Sequence, residues 1–294
     1  MKIFIAGGTG FVGGHLTTEL LKRGHELILL SHAGSGKTQP GIILQQGDVT
    51  DPSSYQQAMK GCDAAINLVG IIREFPARGI TFERLHVEAT ACMVQAAQHA
   101  GVLRYLQMSA LGTRLDAVSG YHRTKWRGEE IVRGSGLAWT IFRPSLIFGP
   151  KDAFVNMLAD NLRLAPVMPT MGDGNYRLQP IHGADVARCF ADALERPETA
   201  GQTYELCGED RLTYRQLLDA IAEALGKGQP WKLALPLSLM KPVIKTLQGI
   251  KAFPITLDQL QMLLEENICD GCWQKTFQFE PIRFRDGIRE YLQR

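Results

Sequence analysis

Residues 2–13 read Lys2-Ile-Phe-Ile-Ala6-Gly7-Gly8-Thr9-Gly10-Phe11-Val12-Gly13. A short apolar run leads into spaced glycines, and apolar residues then recur at helical spacing, which predicts a buried strand, a tight turn and a helix. Glycine lets the backbone approach a pyrophosphate closely, and the free N–H groups of a helix N-terminus bind anions. The stretch therefore predicts a dinucleotide-binding turn whose contacts come from Gly7, Gly10, Phe11, Val12 and Gly13.

The composition of the chain limits the classes of protein that it can be. Its 294 residues suffice for a large α/β core with or without a lobe. With 32 basic and 30 acidic residues the net charge is +2, which argues against nucleic acid as a partner. Six scattered cysteines predict reduced thiols in a cytoplasmic protein and no metal site. No signal peptide and no membrane span is expected.

Apolar runs alternate with helical patterns through the first two thirds of the chain, which predicts an α/β fold with a doubly wound parallel sheet of the Rossmann type. The expected strands are Lys2–Ala6, Glu26–Leu30, Ile42–Gln45, Ala64–Val69, Tyr105–Ser109, Thr140–Arg143 and Thr203–Leu206. The expected helices include Gly10–Arg23, Thr81–Ala100, Ser119–Gly134, Gly183–Glu195 and Pro236–Leu247. We expect a dinucleotide-binding core over residues 1–150, to which 181–208 returns, and a smaller, mostly helical substrate or partner lobe from 151–180 and 209–294.

The segment Tyr121-His-Arg-Thr-Lys125 carries the second signal. Residues four apart share one helix face, so the phenol and the ammonium would point into one site. The ammonium is expected to lower the pKa of the phenol from about 10, which would make it a usable proton donor or acceptor. Because the predicted strand Tyr105–Ser109 ends upstream, Ser109 would lie at the carboxyl edge of the sheet. Tyr121, Lys125 and Ser109 are therefore the predicted catalytic residues.

These motifs together resemble the extended short-chain dehydrogenase/reductase superfamily, of the NAD-dependent epimerase/dehydratase type. Further matching segments are Gly47-Asp48-Val49-Thr50-Asp51, Asn67-Leu-Val-Gly70, Arg143-Pro144-Ser145 and Pro180-Ile-His182-Gly-Ala-Asp185. The resemblance implies that Asp48 and Val49 contact the adenine of the cofactor and that Asn67 and Val69 run beneath its ribose. It also implies that Pro144 lies beside the nicotinamide and that Lys125 binds the nicotinamide ribose.

Other segments more specifically resemble the atypical branch that contains the nucleotide-binding accessory subunit of respiratory complex I and its bacterial relatives. They are Ile66-Asn-Leu-Val-Gly-Ile-Ile72, Phe82-Glu-Arg-Leu-His86, Met108-Ser-Ala-Leu-Gly112 and Trp139-Thr-Ile-Phe-Arg-Pro-Ser145. One departure concerns the superfamily's proton-relay Asn, in whose place this chain has His86. Either His86 relays protons or it is a packing histidine.

The choice between NAD and NADP depends on the end of the second strand, which reads Leu30-Ser31-His32-Ala33. An NAD-selective site has an acidic residue about 20 positions beyond the glycines, where it binds the ribose hydroxyls. No carboxylate occurs here, and Ser31, His32 and Lys37 would bind a 2′-phosphate. The sequence thus favours NADP over NAD.

The segment Trp231–Phe253 combines apolar residues with lysines at helical spacing. Such a stripe is either lobe core with a solvated face or a surface for a membrane or a protein partner. The second alternative would place the protein at the inner membrane surface as a peripheral protein.

Two functions stay open on the sequence alone. The first is an oxidoreductase or an epimerase/dehydratase that acts on a small carbonyl or nucleotide-sugar-like substrate. The second is a catalytically weak, nucleotide-binding structural or assembly protein similar to the complex I accessory subunit. Neither the substrate nor the oligomeric state can be derived from the sequence.

Overall fold

The computed structural model describes residues 1–32, 40–250, 253 and 255–293. In chain order, its strands are β1 (Lys2–Ala6), β2 (Glu26–Ser31), β3 (Ile42–Gln46), β4 (Ala64–Asn67), β5 (Arg104–Met108), β6 (Ala138–Pro144), β7 (Ile147–Phe148), β8 (Val167–Met171), β9 (Arg177–Leu178), β10 (Ile181–His182), β11 (Gln202–Leu206), β12 (Leu212–Thr213) and β13 (Trp231–Leu235). The seven strands expected from the sequence correspond to β1–β6 and β11, with ends that differ by no more than two residues.

The helices cover most of the remaining chain. They are α1 (Phe11–Lys22), α2 (Gln56–Met59), α3 (Ala89–Ala100), α4 (Gly120–Arg133), α5 (Phe154–Leu164), α6 (Gly183–Glu195), α7 (Tyr214–Ala224), α8 (Leu237–Leu247), α9 (Leu257–Leu264), α10 (Trp273–Phe277) and α11 (Phe284–Leu292). A π-helical segment, Glu83–Glu88, runs directly into α3. Across the described residues, none of the helices has the length and apolar character that crossing a bilayer requires.

Seven strands form the main sheet in the order β11-β6-β5-β4-β1-β2-β3, and every neighbouring pair from β6 to β3 is parallel. The strand order reverses between β1 and β4, which is where open α/β sheets bind ligands. The central strands are apolar on both faces, as parallel strands covered by helices must be, and residues 3–6 of β1 are fully buried. The predicted doubly wound Rossmann fold is confirmed.

The chain divides into two compact units. The first contains Met1–Pro144, Gly183–Glu205 and Lys275–Phe277, and the second contains Ser145–His182, Leu206–Gln274 and Gln278–Arg294. The core of the first unit lies between the main sheet and helices such as α3, with Phe4, Tyr55 and Tyr105 buried. The second unit buries one face each of α5, α7 and α11 in a core of its own. It also contains three two-stranded pairs, β7–β10, β9–β12 and β8–β13.

One expectation about the cysteines is wrong. Cys207 and Cys269 form a disulfide within the second unit, whereas reduced thiols were expected throughout. Their Cα atoms lie 6.1 Å apart, within the range that a disulfide bridges, although 62 residues separate them in sequence. Sequence spacing alone could not reveal this proximity. Cys62, Cys92 and Cys189 are free thiols.

Candidate functional site

The glycine turn joins β1 to α1 in the first unit. Gly7 has a φ of 80°, in the left-handed region that glycine adopts without strain. A Cβ at Gly13 would lie 2.4 Å from the Gly7 carbonyl oxygen, so only glycine lets α1 pack this close to the turn. α1 begins at Phe11, and its N-cap residue Gly10 supplies no side-chain hydrogen bond. The first N–H groups of α1, including those of Val12 and Gly13, therefore have no partner within the helix and can bind an anion.

Next to this turn, β2 ends at Ser31, and the side chain of His32 is 77% exposed. The His32 Nε2 atom lies 3.9 Å from Asp48 Oδ2, and Arg84 Nη2 lies 3.3 Å from the same oxygen. Partial burial opposes ionisation of Asp48, but hydrogen bonds from the Thr50 N–H and hydroxyl outweigh it and lower the pKa of this carboxyl. Basic side chains thus gather around one carboxylate here. The predicted residue Lys37 lies outside the described residues.

Asn67 is the last residue of β4, and its side chain fixes the backbone of the residues that follow. Its buried side chain accepts a hydrogen bond of 3.0 Å from the Val69 N–H and donates one of 3.2 Å to Gln107 on β5. Two neighbouring strands are thereby linked at their carboxyl ends.

Val49, the residue after Asp48, is buried, and its carbonyl accepts a hydrogen bond from the Tyr55 hydroxyl.

Lys125 lies where the ends of β4 and β5 meet. Its Nζ donates hydrogen bonds of 3.3 Å to the carbonyl of Val69 and to that of Met108. A Cβ at Gly70 would lie 2.8 Å from this Nζ, so the glycine leaves the space that the ammonium occupies. Ser109 directly follows Met108. The structure thus places Lys125 beside Ser109, Val69 and the segment that begins at Asn67.

Tyr121 lies one helical turn before Lys125 on α4, whose N-cap Ser119 accepts a hydrogen bond from the His122 N–H. The ring of Tyr121 packs edge-on against the rings of His86 and Phe82, with centroid distances of 5.2 and 5.8 Å. Burial raises the pKa of Tyr121 to about 12. The expectation that Lys125 lowers the pKa of Tyr121 is therefore wrong for this site, because burial dominates.

Lys125 is itself deeply buried. Burial lowers its pKa to about 8, while the carboxylate of Glu129, one turn further along α4, acts in the opposite direction. Glu129 is fully buried and pairs with Arg143 on β6 at 2.7 Å and with Arg133 at 2.6 Å. This ion pair ties α4 to the sheet and so holds the face that carries Tyr121 and Lys125. Glu129 was not predicted from the sequence, although it continues the i, i+4 series of Tyr121 and Lys125.

Ser109 and Pro144 lie at the ends of the adjacent strands β5 and β6. The Ser109 N–H donates to the Phe142 carbonyl at 2.7 Å, and the Ser109 hydroxyl donates to Thr113 Oγ1 at 3.4 Å. The carbonyl of the buried Pro144 accepts a hydrogen bond of 2.9 Å from the Leu111 N–H. The loop after Ser109 is thereby fixed to β6. Thr113 gave no signal in the sequence.

His86 lies in the π-helical segment, and both of its ring nitrogens have partners. Nδ1 lies 2.9 Å from Thr124 Oγ1, and Nε2 lies 3.2 Å from the Ile71 N–H nitrogen. Nε2 lies equally close, at 3.2 Å, to the Ile71 carbonyl oxygen, so the ring is held between the Thr124 hydroxyl and the backbone of Ile71. Burial, reinforced by the Lys125 charge, lowers the pKa of His86 to about 2. The ring is therefore neutral and joins the segment after β4 to α4.

The chain is similar to known proteins over most of its length. Residues 3–207 match the NAD dependent epimerase/dehydratase family. The chain is 30% identical over 249 residues to the NADH dehydrogenase (ubiquinone) 1 alpha subcomplex subunit 9, mitochondrial, of Arabidopsis thaliana. That match covers 81% of this chain and 61% of the relative, so the chain spans about three fifths of the relative's length. It is also 26% identical over 237 residues to the ceramide reductase of Caulobacter vibrioides (strain NA1000 / CB15N), with 80% and 73% of the two chains covered.

Among solved structures, the chain is similar to a dTDP-glucose 4,6-dehydratase from Streptomyces venezuelae that was crystallised with NAD bound. The two share a TM-score of 0.77 at 22% identity, and the match covers 100% of this chain and 96% of that chain. At this level of identity the likeness shows the fold alone.

Proposed function

The chain belongs to the NAD dependent epimerase/dehydratase family, and we propose that it binds a nicotinamide dinucleotide and moves a proton at a carbonyl or alcohol of a small substrate. The resemblance to this family that the sequence motifs indicated is confirmed by the match over residues 3–207, and the likeness to complex I subunits by the Arabidopsis relative. The proposed substrate is a small carbonyl compound or a nucleotide-sugar-like molecule.

The donor groups of the glycine turn fit such a cofactor. A Cβ at Gly10 would meet only the Gly7 carbonyl within 4 Å, so the space above the turn is open. The uncapped N-terminus of α1 points N–H groups into that space, as pyrophosphate binding requires. We propose that Asp48 and Val49 hold the adenine end, that Asn67 and Val69 border the ribose, and that Pro144 borders the nicotinamide.

The observation that carries the proposal is the position of the Lys125 ammonium. It is buried, yet it bonds to two backbone carbonyls at the ends of β4 and β5 rather than to a carboxylate. A cation held at the carboxyl edge of a parallel sheet, beside the strand-order reversal, suits a ligand with hydroxyl groups. With a pKa of about 8, Lys125 is mainly protonated at neutral pH.

Tyr121 is the proposed proton donor and acceptor. Because its pKa is about 12, the phenol is protonated at neutral pH, which suits donation to an oxygen that gains charge as a carbonyl is reduced. Ser109 would orient that oxygen, and the Lys125 ammonium would hold the hydroxyl groups of the nicotinamide ribose. The bound nicotinamide would supply or accept the hydride.

Tyr121→Phe tests the catalytic part of this proposal, since it removes the transferable proton but keeps the ring that packs on His86 and Phe82. Turnover should fall by about 10²–10⁴-fold, while dinucleotide affinity should change by no more than a few fold. The assay is cofactor oxidation with a panel of carbonyl and nucleotide-sugar substrates, with binding measured in parallel. Tyr204→Phe, which removes a hydroxyl from β11, is the matched control and should have no effect. Full activity of Tyr121→Phe on a genuine substrate would overturn the assignment.

We further propose that NADP(H) is preferred over NAD(H). One support is that the sequence has no carboxylate at Ser31-His32. The other is that two basic side chains, His32 and Arg84, lie beside Asp48, and their positive charge would balance a 2′-phosphate. Ser31→Asp would place a negative charge at the end of β2 and should shift the preference toward NADH. Tighter binding of NADH than of NADPH by the wild type would contradict this proposal.

A structural or assembly role is the second candidate function. It is supported by the likeness to a mitochondrial NADH dehydrogenase subunit and by His86, which is neutral and fully bonded at the usual position of the relay Asn. A wild type that binds a dinucleotide tightly, but turns over nothing across the substrate panel, would favour this role over catalysis.

A further inference from the structure

The paired strands β8 and β13 in the second unit expose large apolar side chains on one side. Successive residues of a strand face opposite sides, and residues paired in parallel register share a side. Trp231 pairs with Val167 and Leu233 with Pro169, and the exposed fractions of Trp231, Leu233 and Val167 are 79%, 57% and 44%. Lys232, on the opposite side, is 8% exposed and pairs with Asp219 at 2.5 Å. Lys232 therefore lies on the buried side of the ribbon beside Met168, while Trp231, Leu233 and Val167 are exposed on the other side.

The next helix continues this apolar surface. On α8, Leu239 and Val243 are 66% and 43% exposed, whereas Ile244 is buried and anchors the helix. Lys241 and Lys245 lie on the exposed part of the same helix. We term the exposed surface of the ribbon and of α8 the apolar-basic face. It consists of Val167, Trp231, Leu233, Leu239, Lys241, Val243 and Lys245.

In the segment that contains β13 and α8, all charged side chains are positive. Residues 224–257 contain five lysines and no aspartate or glutamate. Lysines whose alkyl stems lie along apolar surface keep their ammonium groups in water and can reach a layer of negative charge. A tryptophan beside them prefers the boundary between hydrocarbon and water.

From these observations we infer that the apolar-basic face binds the surface of an anionic lipid membrane. α8 has 11 residues, too few to span a bilayer, but an amphipathic helix of this kind lies in the headgroup region with its apolar side chains inserted. Trp231, Leu233, Leu239 and Val243 would enter the acyl boundary, while Lys241 and Lys245 would meet lipid phosphates. This inference is independent of dinucleotide binding.

The charge also explains why lipid is favoured over a second copy of the chain. A two-fold interface would bring the same patch of both copies together and so oppose Lys241 and Lys245 to each other. An anionic membrane instead attracts each lysine near its surface, by a factor of about five in affinity. A face that binds an acidic protein would have the same charge complementarity. It would not make the chain bind anionic vesicles in preference to neutral ones.

Vesicle sedimentation of the full chain tests the inference. We expect binding to vesicles of phosphatidylcholine mixed with phosphatidylglycerol, little binding to phosphatidylcholine alone, and release at about 1 M salt, where charges are screened. Lys241→Gln with Lys245→Gln should weaken binding by about 30-fold. Leu239→Ser with Val243→Ser should weaken it by at least about tenfold, because less apolar area is inserted. Emission of Trp231 should shift to shorter wavelength on binding, a change that Trp231→Phe removes.

Matched controls keep the result interpretable. Lys60→Gln with Lys275→Gln removes the same charge from other exposed positions, and Leu103→Ser removes an apolar side chain that is 74% exposed in the first unit. These controls should bind vesicles like the wild type, and all variants should unfold at about the wild-type temperature. Absence of wild-type binding, equal binding to both vesicle types, or lysine variants that match their controls would each overturn the inference. A dimer that Leu239→Ser with Val243→Ser converts to monomer, without vesicle binding, would assign the face to self-association and equally overturn it.

Discussion

Gly13→Ala tests the link between the glycine turn and dinucleotide binding. The new Cβ would lie 2.4 Å from the Gly7 oxygen and 2.5 Å from the carbonyl carbon of Gly8, whereas ordinary contacts begin at 3.4 Å. Because both neighbours are backbone, α1 and the turn must separate by about 1 Å. Overpacking of this kind costs up to about 3 kcal/mol, and the higher helix propensity of alanine offsets about 1 kcal/mol. The net loss in the free energy of unfolding is therefore about 2 kcal/mol, with dinucleotide affinity greatly reduced.

Gly14→Ala is the matched control, one residue along the same helix. A Cβ there meets nothing within 4 Å, so the variant should gain up to about 1 kcal/mol of stability and keep its dinucleotide affinity. Urea unfolding and calorimetric titration with NADPH measure the two properties. If Gly13→Ala proves as stable as Gly14→Ala and binds as tightly, the reasoning from the close packing of α1 is refuted.

Two other predictions concern buried ionisable side chains in the first unit, His86 and Glu129. The pKa of His86 falls from 6.5 to about 2 on burial, so below about pH 6.5 only the unfolded chain takes up this proton and stability is lost as the pH falls. In urea unfolding between about pH 7 and pH 5, His86→Gln should reduce that loss by up to about 1.4 kcal/mol per pH unit, and an unchanged slope would contradict the assignment. Glu129→Gln should cost about 3 kcal/mol because it removes the buried carboxylate that Arg143 contacts at 2.7 Å and leaves only the more exposed Glu205, at 3.6 Å. Glu130→Gln, which breaks an exposed pair with Arg133, should cost less than about 1 kcal/mol. Similar costs for both variants would show that burial of the Glu129 pair is unimportant.

Much of the first unit could be predicted from the sequence because its signals are local. The glycine spacing, the continuous apolar strands and the strand-to-helix alternation each reflect one element at a time. Ser109, Tyr121 and Lys125 were located in the same way, by their distance from a strand end and their spacing on one helix. The family motifs added Asp48, Asn67 and Pro144, whose predicted roles await experiment.

The features that the sequence did not reveal depend on contacts between distant segments. The pKa of Tyr121 is raised because the rings of Phe82 and His86 bury it, and no spacing rule predicts such burial. The disulfide Cys207–Cys269 likewise joins residues from separate segments. The strand Trp231–Leu235 was missed because its outward residues are apolar and its inward residue is a lysine, the reverse of the usual strand pattern.

Native mass spectrometry of the purified chain tests the central claim, dinucleotide binding at the glycine turn, most directly. The wild type is mixed in turn with NADPH, NADH and ATP, and the mass of the complex is read at increasing salt. We predict that one dinucleotide binds per chain, that NADPH is retained longer than NADH, and that ATP, which lacks the nicotinamide half, is lost first. A chain that retains neither NADPH nor NADH would contradict the account.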